Sequence, residues 1–146
     1  AAATELRRHC VLLNNEMHQH SSGLVFYGSP DTPHRTPLYR ARAFEATHAA
    51  RDRHWRGARD RLTECDIVIS HAPPLGIRDH YAFGDSDLLG DDDPDIVIER
   101  RRCADGSYCT TNGSIHTGCI HLRHALHDVS SRRNAPRLCV FGHQHF

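Results

Sequence analysis

Apolar residues in this chain gather in short runs divided by polar stretches. Leu24-Val25-Phe26-Tyr27 is one such run, stopped by Gly28-Ser29-Pro30-Asp31. It predicts a buried strand and a turn. From about Leu38 to Arg61 the apolar positions are Leu38, Ala41, Phe44, Ala46 and Trp55, set among many arginines. This pattern predicts irregular structure leading into a helix. Arg51, Arg53, Arg56, Arg59 and Arg61 then read as its exposed face, with Trp55 anchoring it to the core. Asp66-Ile67-Val68-Ile69-Ser70 is a second buried strand, and Pro73 and Pro74 force the chain out of it just beyond His71.

Between about 82 and 114 the composition shifts to Gly, Asp, Ser and Thr, with an acidic cluster at Asp91, Asp92, Asp93 and Asp95 and a basic one at Arg100, Arg101 and Arg102. This stretch reads as a surface insertion in which Ile96-Val97-Ile98 forms a short edge strand with no partner evident. Cys119, Leu122, Leu126 and Val129 follow 3, 4, 3 spacing, a stripe on a helix ending near Arg132 to Asn134. Leu138 to Phe141 is the last strand. The order strand, helix, strand, helix, strand predicts an α/β layer architecture.

Composition narrows the function classes. The 146 residues suit one domain, and 38% apolar with 25% charged residues is enough to build a core. The 18 basic residues, all arginine, balance 18 acidic ones, so no field of one sign draws in nucleic acid or anionic lipid. No apolar run is long enough to span a bilayer and no signal peptide is evident; the six cysteines form no C-x-x-C pair. A cytoplasmic protein with reduced thiols is expected. The first residue is Ala1, the only methionine is Met17, and Phe146 directly follows a ligand-rich loop. Both ends are expected to be cut.

The 14 histidines carry the chemical signal. An apolar strand ends in Gly142-His143-Gln144-His145, where glycine lets the backbone turn closely and two imidazoles emerge two residues apart. His71 likewise emerges at the end of a strand. In α/β sheets ligand sites gather at the carboxyl ends of strands, so three histidines are expected to converge on one sheet edge as metal ligands.

Four segments resemble, in order, small calcineurin-like metallophosphoesterases, and within them the branch of metallophosphoesterase-domain-containing phosphodiesterases. Asp66-Ile67-Val68-Ile69-Ser70-His71-Ala72-Pro73-Pro74-Leu75-Gly76-Ile77-Arg78-Asp79 is similar to the family's D-[IL]-L-x-T-H-G-P-P-L-G-x-x-D segment. Val25 to Pro30 resembles its strand and Y-G-[AS]-P turn, and Gly118-Cys119-Ile120 resembles the opening of a helix. Pro136 to His145 resembles P-x-L-x-V-F-G-H-x-H.

The resemblance implies a hydrolase with a binuclear metal centre between two sheets, of which this chain forms the C-terminal half of a four-layer αββα sandwich. His71 and His143 would then ligate one metal and His145 the other. The two divalent ions are drawn from Mn, Fe, Zn or Mg, and the substrate is a small phosphoester, with cyclic nucleotides a family expectation. A hydroxide bridging the ions is the implied nucleophile. The family's D-x-H, G-D and G-N-H-[DE] motifs are absent upstream of Val25. The catalytic residues and the other metal ligands are therefore expected in an N-terminal half, and residues 1–146 are expected to be a fragment carrying an insertion.

Asp79 is a candidate to orient a ligand histidine, and a solvated turn carboxylate is the alternative. Arg78 is a phosphate contact or a surface arginine. The acidic stretch of Asp85, Asp87 and Asp91 to Asp95 fits a solvated loop better than a calcium site. Two other functional classes stay open. One is a small zinc-binding interaction module built on Cys103, Cys109, Cys119, His116 and His121. The other is a non-catalytic remnant, exposing apolar strand faces and prone to oligomerise.

Overall fold

The computed structural model describes residues 2–33, 44–82, 97–99, 114–116 and 118–142. Its elements are α1 (Ala2–Leu6), β1 (Glu16–Gln19), β2 (Val25–Ser29), β3 (Thr32–Pro33), β4 (Glu45–Ala46), α2 (His48–Leu62), β5 (Ile67–Ser70), β6 (His80–Ala82), β7 (Val97–Glu99), β8 (Ser114–His116), α3 (Ile120–Ser130) and β9 (Leu138–Phe141). The protein is mixed α/β. Its main sheet has the order β1-β2-β5-β9, antiparallel between β1 and β2 and parallel from β2 to β9. Two successive strand–helix–strand units, β2-α2-β5 and β5-α3-β9, account for the parallel pairs.

Period-2 alternation divides the sheet into two faces. Tyr27, Val68 and Cys139 stand in one cross-strand row. Helices α2 and α3 pack over this face: Trp55, Ala58 and Leu62 of α2 and Leu122, Ala125 and Val129 of α3 form one cluster with Tyr27 and Val68. The Tyr27 hydroxyl lies 3.1 Å from His54 Nε2, and the Arg61 guanidinium carbon sits 5.4 Å from the Tyr27 ring centre. Burial pushes the Tyr27 hydroxyl up to about 12. On the opposite face Ile69, Leu138 and Val140 are 39%, 51% and 47% exposed. Apolar side chains of β5 and β9 are therefore open on this face.

Asp66 aligns the strand starts. Its carboxylate accepts from Val25 N at 2.9 Å, and its carbonyl accepts from Arg137 N at 2.8 Å. β2 runs on through Gly28 and Ser29, which sequence alone assigns to the turn. Both residues pair with β5, opposite Ile69 and Ser70. Glycine is required at 28 because a Cβ there would lie 2.3 Å from Leu13 Cβ.

Three other expectations change. Arg51 does not belong to an exposed face: it is fully buried, because the inward stripe of α2 is Arg51, Trp55, Ala58 and Leu62. Its guanidinium donates to Ala46 O. Helix α3 stops at Ser130, where Ser131 caps it, short of Arg132 to Asn134. The strand expected at 96–98 lies at Val97–Glu99 and has a partner, β8, which also pairs with β6. The acidic and basic clusters around it, at 85–95 and 100–102, lie outside the described residues. No helix among the described residues is long and apolar enough to cross a membrane.

Candidate functional site

The parallel strands β2, β5 and β9 end together, and backbone hydrogen bonds lace those ends. His71 N donates to Ser29 O at 3.0 Å, and Gly142 N donates to His71 O at 3.3 Å. The backbone of His71 is thus held from both sides while its residue stays exposed. Ser70, buried just before it, donates from Oγ to Ala72 O at 2.7 Å. His71 and Gly142 are therefore brought together. His143 and His145, the two ligands expected immediately after Gly142, lie outside the described residues.

The segment after His71 is rigid. Ala72, Pro73, Pro74 and Leu75 are buried. Pro74 bridges to Cys119, with Cys119 N donating to Pro73 O at 2.8 Å and Leu75 N to Cys119 O at 3.2 Å. The loop is thereby fastened to the start of α3.

Asp79 completes this junction. It is fully buried, and its Oδ2 accepts from Gly76 N at 2.8 Å and Gly118 N at 3.1 Å. The solvated-turn alternative is thus replaced: the carboxylate ties the loop to the segment opening α3, because two amide donors of the fold converge on it. Gly118 is needed for that approach, since a Cβ there would lie 2.7 Å from Asp79 Oδ2 and 2.8 Å from Leu75 Cα. Arg78 is exposed, with φ of 53°.

Two neighbours of this edge escape a reading of motifs. Phe44 is 59% exposed and its ring centre lies 6.4 Å from that of His71. Its φ of 67° is unusual for an aromatic residue, and its carbonyl accepts from Thr32 N and Thr32 Oγ1 at 2.9 and 3.3 Å. Asp31 follows the end of β2 and is half-buried, with Asn15 Nδ2 3.5 Å from its Oδ2. The signal for Asp31 was the one that singled out His71, a polar residue just past a strand end. Phe44 had no signal, because only a paired β4 and a left-handed backbone place it there.

The cysteine candidates fare differently. Cys119 is the N-cap of α3, where its sulfur accepts from Leu122 N at 3.4 Å, and burial pushes its thiol up. Cys103 and Cys109 lie outside the described residues. His116 sits on β8, and His121 contacts His48 and Asp52. Among the described residues no three His, Cys, Asp or Glu side chains converge as a metal site. Comparison with known protein families, with curated proteins and with solved structures found no match.

Proposed function

We propose that this chain carries the C-terminal ligand set of a binuclear metal-dependent phosphoesterase. One observation supports the reading above the others. The two segments that resemble the family's histidine motifs, separated by most of the chain, meet at one sheet edge where Gly142 N bonds to His71 O. That edge is also where α/β sheets place their ligand sites.

The residues present suit the group in part. His71 offers an exposed imidazole on a backbone fixed from two sides, and imidazole nitrogen suits zinc and iron. His71, His143 and His145 would hold the ions, and the remaining ligands would come from D-x-H, G-D and G-N-H-[DE] motifs in a second half. Two divalent ions supply Lewis acidity toward phosphoryl oxygens and lower the pKa of water. The chain's own part is to fix His71: the Pro73-Pro74 loop, Asp79 and the start of α3 hold its backbone against displacement. The open face bearing Ile69, Leu138 and Val140 would receive the second sheet of an αββα sandwich. Phosphodiesters, including cyclic nucleotides, are the substrate class this reading favours.

The test is hydrolysis of a generic phosphodiester, in the presence of Mn²⁺, by the complete domain in which this chain is joined to the half carrying D-x-H, G-D and G-N-H-[DE]. Turnover that is abolished by His71→Ala and by His145→Ala supports the reading. Absence of turnover in the parent, or undiminished turnover in both variants, overturns it.

A further inference from the structure

Phe44 stands beside His71 at the sheet edge, and its setting is unfavourable in two ways. Its apolar ring is 59% exposed, and its backbone takes the left-handed conformation, with φ of 67°. Glycine and asparagine enter that region readily, whereas a bulky aromatic residue does so under strain. Folding alone would favour one of those two residues here.

The segment around Phe44 nevertheless holds it in place. Its carbonyl accepts from Thr32 N at 2.9 Å and from Thr32 Oγ1 at 3.3 Å, and Thr32 is buried. β4 follows at once and pairs in parallel with β3. The Ala46 carbonyl then accepts from the buried Arg51 guanidinium, and Thr47 caps α2. The ring is thus carried on a fixed backbone, its centre 6.4 Å from that of His71 and the two planes inclined at 54°. A strained residue kept at a ligand edge points to a role in binding.

We propose that Phe44 is a specificity-determining residue, a platform on which a planar aromatic group of the substrate stacks while the phosphoryl group lies beside His71. The proposal rests on the phosphoesterase reading and narrows it to phosphodiesters that carry an aromatic ring a few bonds from phosphorus. Stacking requires only an aromatic face and discriminates little between ring types, so the preference is for a class of substrate.

The test uses the complete domain with Mn²⁺ and three ribose 2′,3′-cyclic phosphates that carry adenine, phenyl or methyl at C1′. The reacting atoms are the same in all three, so differences in KM report the group at C1′. The adenine and phenyl esters should show KM values about tenfold or more below that of the methyl ester. Phe44→Asn, which suits the left-handed backbone but lacks the ring, should abolish that ratio, and Phe44→Tyr should retain it. In chemical denaturation Phe44→Asn should be at least as stable as the parent. Marked destabilisation would assign the ring to the fold and overturn the proposal. A ratio undiminished in Phe44→Asn, or a preference for adenine with none for phenyl, also overturns it while leaving the phosphoesterase reading intact. Absence of turnover of all three esters by the parent overturns both.

Discussion

At the scale of single residues, protonation states are set mainly by burial. It pushes the thiols of Cys65 and Cys139 up to about 11, from an ordinary 9.0. Folded values above the unfolded ones mean that this share of stability is complete below about pH 9 and is lost as pH rises toward 11, because the unfolded chain releases protons that the folded one keeps. Each thiol then adds a slope of up to about 1.4 kcal/mol per pH unit. The chain has no lysine to titrate in that window, and Tyr27, raised from 10.0 to about 12, adds a loss of the same sign above about pH 10. The denaturant midpoint should therefore fall between pH 9 and 11, less steeply in a Cys65→Ala, Cys139→Ala variant. A midpoint unaffected by pH across that window would contradict the assignment. His54 behaves in the opposite sense: burial holds its pKa below the usual histidine value, so its share of stability is lost as pH falls below about 6.5.

At the scale of elements, the junction between the His71 loop and α3 depends on Asp79. Replacing Asp79 with Ala leaves the Gly76 and Gly118 amides without their carboxylate, the latter in a buried position, and should cost about 2–4 kcal/mol in chemical denaturation. Asp79→Asn, which keeps an acceptor oxygen, should cost less. Equal stability of the parent and Asp79→Ala would show that the carboxylate does not hold the loop. Apolar pattern alone revealed elements of this kind unevenly. β9 matches its predicted Leu138 to Phe141 residue for residue, because an apolar run flanked by Pro136 and Gly142 has few alternatives. β1 went unread since Glu16, Met17, His18 and Gln19 hold one apolar residue, and only pairing with β2 makes them a strand. Residue type places Arg51 outside, whereas its helical position places it inside; its long stem and the Ala46 carbonyl let it occupy the inward stripe. His71 and its strand were legible, whereas the burial of Asp79 depends on Gly118, distant in sequence.

At the scale of the whole molecule, the sheet is covered by α2 and α3 on one face and leaves Ile69, Leu138 and Val140 exposed on the other. Contiguous exposed apolar positions on an edge strand favour association. Sedimentation of the chain should show concentration-dependent oligomers, and Leu138→Lys with Val140→Lys should shift it toward monomer with its circular dichroism intact. A parent that stays monomeric at all concentrations would contradict this. Asp66 has a further consequence, for the order of assembly. It stands at the hinge of two chain excursions, one returning from Val25 and a longer one extending to Arg137. Closing the longer loop costs about half a kcal/mol more entropy than closing the shorter one. β2 and β5 should therefore dock first, leaving a ready groove for β9. The strand that leads to Gly142 is then the last to lock and the first to fray, and amide exchange should be fastest there among the three parallel strands.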